Sequence, residues 1–167
     1  MSILPLVFYP DARLAQPCAP VTDPATDEDL RPVIADMFDT MYAAPGRGLA
    51  GPQVGVMKRV FVMDCTWKDG AGTPMAFLNP EIIVQREDED TLNEGCLSIP
   101  DLMVPVVRPA AITVRWMDEL GGTHERNFDG FEARCIQHEM DHLDGRVTLD
   151  HLSEPARTEI LQGYTAP

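Results

Sequence analysis

Residues 137–143 read Gln-His-Glu-Met-Asp-His-Leu, so His138 and His142 stand four apart with Glu139 beside the first. Four residues make just over one helical turn, which puts both imidazoles on one face, within reach of one cation. An H-E-x-x-H of this kind binds a metal through its histidines and offers the glutamate as a general base. Half of the chain's four histidines stand at this one spacing, which weighs against two solvated side chains on a surface helix. Two ligands do not complete a catalytic centre, which takes a third protein ligand and keeps one position open. Downstream, Glu154 and Glu159 are candidates, but no second long helix follows to set them. Upstream, Glu94-Gly95-Cys96-Leu97-Ser98 offers a thiolate on a turn between strands, and Gly95 lets backbone come close to a ligand. On its own, Cys96 reads equally as a buried structural thiol.

The motif needs a helix beneath it, and residues 130–144 supply one, opened by Asp129-Gly130 and closed by Asp144-Gly145. A second, amphipathic helix is expected over 27–43. Leu30, Val33, Ile34, Met37, Phe38 and Met41 recur at steps of three and four. Thr26-Asp27 would cap it, Glu28 and Asp29 suit its positive end, and Pro45-Gly46 ends it. Residues 46–52 form a glycine-rich loop, and the proline-bearing stretch 1–25 is an irregular arm. Strands are expected at 59–64, 75–78, 82–85, 104–107, 111–117 and 123–128, with Gly121-Gly122 as a hairpin turn. The acidic run Glu87 to Asp90 reads as a solvated turn, and Ser153 with Pro155 starts a short last helix. Helix, many short strands, then helix predicts an α+β fold. We expect one domain over 1–167, its short mixed and antiparallel strands packed around a central helix that carries the motif.

The chain has 167 residues and a net charge of −14, with a pI near 4.5. That balance argues against DNA or an anionic membrane as partner, because phosphate contacts need clustered cations. It leaves a local ribosome contact open. No apolar run approaches the ~18 residues of a membrane span. Met1 to Pro5 shows no basic, then apolar, leader. Cysteines at 18, 65, 96 and 135 are too scattered for a disulfide framework, so a reducing, cytoplasmic compartment is expected. Cys18 and Cys65 read as structural, and His124 and His151, which stand at no partner spacing, as surface residues.

Three segments together resemble the peptide deformylase family: Gly46-Arg47-Gly48-Leu49-Ala50-Gly51-Pro52-Gln53, then Glu94 to Ser98, then Gln137 to His142. The resemblance runs over nearly the whole chain, from Tyr9-Pro10-Asp11 to Leu152. It implies removal of the formyl group from the formyl-methionine that begins new polypeptides, so the partner is an N-formylated peptide or nascent chain. It implies an ion held by Cys96, His138 and His142: Fe²⁺ in the family's native enzymes, with Zn²⁺, Ni²⁺ or Co²⁺ suiting the same donors. By the same resemblance Glu139 moves the proton, and the Gln53 amide and Leu97 N–H donate to the developing oxyanion. The backbone at Gly46, Arg47 and Gly48 would pair with the substrate as an added strand. Gly95, Phe131, Arg134 and Cys135 would border its side chain, and Glu94 with Arg108 would steady the cysteine turn.

The chain departs from the family pattern at Gly51, which stands for a second alanine and should loosen the loop before Gln53. Arg47 takes a place of apolar β-branched residues. Arg134, one turn before His138, would narrow the pocket, attract an anion, or run its stem along the wall with its charge in solvent. Three competing readings follow: a hydrolase for another N-acyl group or a non-methionine N-terminus, a non-catalytic binding module that keeps the metal fold, and a zinc endopeptidase.

Overall fold

The computed structural model describes residues 2–24 and 30–167. Three α-helices are present among them: α1 (Leu30–Ala43), α2 (Gly130–Leu143) and α3 (Glu154–Ile160). The seven strands are β1 (Gly48–Ala50), β2 (Val60–Met63), β3 (Met75–Gln85), β4 (Glu89–Cys96), β5 (Ile99–Pro109), β6 (Ala111–Met117) and β7 (Thr123–Asp129). The expected cap and first turn at Thr26 to Asp29 lie outside the described residues.

Five strands form one sheet in the order β1-β2-β3-β6-β7, and β4 with β5 forms a separate hairpin. The pairings between these strands are all antiparallel, and one isolated parallel bridge joins Ala19 to Lys58. The interior strand β2 shows why its sequence, Val-Phe-Val-Met, is apolar throughout. Val60 and Val62 face the cluster built on α1, while Phe61 and Met63 face the cluster built on α2. A strand covered on both faces needs no polar alternation. On the α2 side, Phe61 stacks on Phe77 at 4.5 Å and Phe77 meets Trp116 at 4.7 Å, contacts worth about 0.5–1.5 kcal/mol each beyond area burial.

Helix α2 is therefore central. Ala133, Cys135 and Ile136 join the sheet core, and Arg134, Gln137, Glu139 and His142 are buried as well. A third cluster, built from Val7, Leu14, Ile99, Val104, Val106 and Leu149, underlies the hairpin.

Several boundaries differ from expectation for identifiable reasons. The two short strands 75–78 and 82–85 are one strand, because Asn79 takes φ 48° and lets β3 continue through an irregularity. Asn79 also exchanges two hydrogen bonds of 2.8 Å with the Val21 backbone. The acidic run is not all turn, since Glu89 and Asp90 open β4. Strand β5 starts five residues before the expected 104. Part of the glycine-rich loop is strand, with Gly48 opposite Met63 in β2. Gly51 does not loosen its loop. It is buried in a 3-10 turn, and a Cβ there would strike the Val56 carbonyl oxygen and stand 3.0 Å from that of Lys58 and 3.3 Å from that of Val60.

Candidate metal centre

Cys96 ends β4, and the turn at Leu97 and Ser98 leads into β5, so the hairpin presents the thiol at its tip. Helix α2 presents His138 and His142 on one face, their rings 5.1 Å apart at 71°. One donor atom from each of the three residues lies within 4.8 Å of the other two. The Cys96 Sγ to His142 Nε2 distance is 3.3 Å. His138 Nδ1 is 2.9 Å from Glu94 Oε2, which leaves Nε2 to face the thiol and sets the tautomer as for a metal-ligating imidazole.

The electrostatics favour a ligand set. Burial would raise the Cys96 thiol, but the charge and hydrogen bonds of His142 and His138 bring it down to about 5. Burial works against a charged His138, yet hydrogen bonds to Cys96 and Glu94 raise it well above the usual histidine range. Two imidazoles clustered on a thiolate are a set that a divalent ion satisfies, and thiolate with imidazole suits Fe²⁺, Zn²⁺, Ni²⁺ and Co²⁺. Beside them lies Glu139, whose Oε2 is buried without a hydrogen-bond partner. Burial, the largest influence, raises its carboxyl, and the neighbouring histidines only partly offset that. The residues present fit a metal.

Gln53 is 1% exposed. Its Oε1 accepts the Ala50 N–H at 2.9 Å, which orients Nε2 toward Ser98 Oγ at 3.1 Å and Cys96 Sγ at 3.6 Å. An amide donor is thus aimed at the space beside the thiolate. Ser98 is a participant that the sequence reading did not single out, although it stands in the same segment as Cys96.

A cleft of about 550 Å³ opens over these groups, lined by Gly46 to Gly48, Gly95 to Leu97, Phe131, Arg134 and Cys135 among others. Leu92, Met103 and Phe131 line it and are each more than half exposed. Strand β1 is the edge of its sheet there. The Asp64 N–H donates to the Arg47 carbonyl at 2.9 Å, so by ladder alternation Gly48 aims its own N–H and C=O away from β2. The Gly46 groups are already taken, N–H by the Met41 carbonyl at 2.8 Å and C=O by Trp67 Nε1 at 2.8 Å. Of the three positions expected to pair with a substrate, Gly48 is the one with its backbone turned outward. A Cβ on Gly48 would strike the Glu139 carboxylate and stand 2.9 Å from Cys135 Sγ.

Arg134 lines the cleft, but its charge does not reach solvent. Its side chain is 8% exposed, and its guanidinium is tied to Glu94. Arg108 grips the same carboxylate through two hydrogen bonds of 2.7 and 2.9 Å. Arg47 lies over the Phe131 ring at 5.5 Å and donates to the Cys65 carbonyl and to Asp69 Oδ2, the latter at 3.2 Å. His151 is not a lone surface residue: its Nε2 is 2.7 Å from Asp141 Oδ2, which Arg108 also reaches at 2.9 Å. His124 is exposed, as expected, with its Nε2 2.6 Å from Asp118 Oδ2. Cys18 and Cys65 are buried.

A thiolate and two imidazoles meeting beside a buried carboxylate with one unpartnered oxygen, in an α+β frame, define a metallohydrolase. The polypeptide deformylase family profile matches residues 3–158. A peptide deformylase of Rhizorhabdus wittichii is 47% identical, covering 97% of this chain and 93% of its own. Another, of Zymomonas mobilis, is 43% identical over 97% and 93%. The crystal structure of peptide deformylase from Ehrlichia chaffeensis in complex with actinonin superposes with a TM-score of 0.90 at 38% identity, covering 98% of this chain and 96% of that one. The chain belongs to the polypeptide deformylase family, an enzyme family that works with a catalytic metal.

Proposed function

We propose that this chain, acting as one domain over 1–167, removes the N-formyl group from N-formylmethionyl nascent polypeptides in the cytoplasm. The observation that carries the reading is the convergence of Cys96, His138 and His142 within 4.8 Å of one another beside the buried Glu139 carboxylate. These three residues would hold Fe²⁺, with Zn²⁺, Ni²⁺ or Co²⁺ accepted by the same donors. The bound ion would supply Lewis-acid charge that makes hydroxide accessible near neutral pH.

The chain's own groups do the rest. Glu139 Oε2 takes the proton that water gives up as its oxygen attacks the formyl carbon, and returns it to the amine nitrogen as the C–N bond breaks. Formate and a free N-terminus leave. Gln53 Nε2 and the Leu97 N–H donate to the carbonyl oxygen as it gains charge. Gly48 pairs with the substrate backbone through its outward N–H and C=O, contacts that ignore the following sequence. Phe131, Cys135 and Leu92 border the methionine side chain. The Arg134 guanidinium, tied to Glu94, gives an anionic substrate no free partner there, which supports methionine over an acidic residue.

The test is steady-state release of formate by the Fe²⁺-loaded protein from formyl-Met-Ala-Ser, against formyl-Asp-Ala-Ser, formyl-Gly-Ala-Ser and acetyl-Met-Ala-Ser. Formyl-Met should have the highest kcat/KM, and Glu139→Ala should abolish turnover while retaining the ion. Faster turnover of a non-methionine or acetylated peptide would replace the substrate assignment. Turnover unaffected by Glu139→Ala would remove the mechanism.

A further inference from the structure

Helix α2 meets the cysteine-bearing hairpin through charged side chains, and one of these takes no part in the bond-breaking steps above. Arg134 stands one turn before His138 and is buried. Its Nη1 donates to Glu94 Oε1 at 2.7 Å and to the Val106 carbonyl at 3.0 Å, and its Nη2 donates to the Asp90 carbonyl at 2.9 Å. Asp90 lies in β4 and Val106 in β5. One side chain of the histidine helix therefore holds both strands of the hairpin that carries the third ligand.

We propose that Arg134 is a positioning residue of the metal centre: it pins the Cys96 hairpin onto the helix bearing His138 and His142, and fixes Glu94 so that one oxygen faces His138. The proposal rests on the metal reading above and on no feature of the substrate.

The other contacts do not duplicate this. Arg108 grips Glu94 from β5, so that pair braces the hairpin internally. The link from Arg108 to Asp141 joins hairpin and helix next to His142. Before His138, Gln137 reaches the hairpin only at the Pro109 carbonyl at the end of β5, whereas Arg134 grips Glu94 near the cysteine and also reaches backbone of β4. Glu94 divides its oxygens accordingly: Oε1 takes Arg108 Nε and Arg134, while Oε2 takes Arg108 Nη2 and His138. Without Arg134, Oε1 loses one of its two donors and the carboxylate loses a restraint on its rotation. Charge points the same way. Arg146 also pairs with Asp141, whereas Glu94 has, among the described residues, only the guanidiniums of Arg134 and of the Arg108 it shares with Asp141, so an apolar residue at 134 leaves the buried Glu94 charge with one shared guanidinium beside a ligand. A guanidinium forks to several acceptors at once, whereas a lysine ammonium keeps the charge without the planar geometry.

The experiment uses Arg134→Met and Arg134→Lys, each loaded with Co²⁺ and with Zn²⁺. Release of the ion into excess dipicolinate is followed, with the thiolate-to-Co²⁺ absorption band as a second readout and kcat and KM measured separately. Loss of a group that supports a ligand typically weakens metal binding about 10–100-fold. Arg134→Met should speed release by about that factor and shift the band, with kcat lowered and KM changed less than about twofold. Arg134→Lys should release the ion faster than wild type but slower than Arg134→Met. If Arg134→Met does not fold, the lysine variant decides, and release at the wild-type rate overturns the proposal. Raised KM with wild-type ion retention also overturns it and places Arg134 in the substrate pocket. A wild-type protein that takes up neither ion would remove the metal reading and this proposal together.

Discussion

Replacing Gln53 by methionine keeps the length of the side chain and removes both of its hydrogen-bonding groups. Two losses follow from the structure, and they fall on different measurements. The first is the Nε2 donor aimed past Ser98 Oγ toward Cys96 Sγ. If that amide serves the developing oxyanion, its loss lowers kcat by about 10²–10³, or ~2.7–4 kcal/mol of barrier. KM should hold, because the interaction strengthens only as charge develops. The second loss is the acceptor for the Ala50 N–H, a buried group in β1. An orphaned buried donor costs about 1–3 kcal/mol, which for a domain of this size lowers Tm by about 2–12 °C. Formate release coupled to formate dehydrogenase reads the first loss, and thermal melting at matched ion loading reads the second. Ser98→Ala serves as control: it removes one acceptor from the amide but leaves the Ala50 contact, so kcat should move less than about fivefold. If Gln53→Met melts early but turns over within about threefold of wild type, Gln53 is a brace for the loop and not an oxyanion donor.

Other consequences are open to simple tests. Gly51→Ala should destabilise the fold by about 1–3 kcal/mol in urea melts, because its Cβ strikes the Val56 carbonyl oxygen and meets those of Lys58 and Val60; an unchanged midpoint would contradict that packing. Adding Zn²⁺ should raise Tm with concentration, by the equivalent of ~2.7 kcal/mol at a hundred times Kd, and Cys96→Ala should remove most of the rise. Burial raises the Asp64 carboxyl, but the Thr73 N–H, the Tyr42 hydroxyl and the Thr66 N–H together hold it below its usual 3.8. A lowered folded-state value means stabilisation that is present above the unfolded-state value and disappears as pH falls through the folded one. The urea-midpoint gap between wild type and Asp64→Asn should therefore stay constant above about pH 5 and close below about pH 4; a gap that persists in acid would refute the assignment.

The sequence and the structure agree where the interaction is local. The four-residue spacing of His138 and His142 is a property of one helix, so it is readable without tertiary information. The apolar run of β2 and the periodicity of α1 are local in the same sense. Strand β4 was not legible because its residues from Glu89 to Asn93 are exposed and alternate in no useful way. The break expected in β3 falls at Asn79-Pro80, and only the pairing with Val21, 58 residues away, shows how the strand passes through it. The direction of Arg134 is long-range too: its face on the helix admits pocket, solvent or Glu94, and Glu94 is 40 residues distant. Gly51 was misjudged because glycine's backbone freedom and its lack of a side chain give opposite expectations. Here the second governs, and the signal lay in carbonyl oxygens of a later segment.

The polar face of α2 carries the functional argument further than the motif alone. A helix pressed between a sheet and a hairpin should be apolar all round, since buried polar groups are costly unless hydrogen-bonded. Arg134 and Gln137 meet that demand with partners on the hairpin and on the backbone. Three buried side-chain atoms among the described residues have no partner, and two of them, Glu139 Oε2 and His142 Nδ1, belong to the motif. Their neighbours are satisfied, so the unsatisfied positions reflect the site rather than poor packing. A free carboxylate oxygen next to a thiolate and two imidazoles is a poor choice for stability. It is what proton transfer at a hydrolytic centre needs: an acceptor with no competing donor until a substrate arrives.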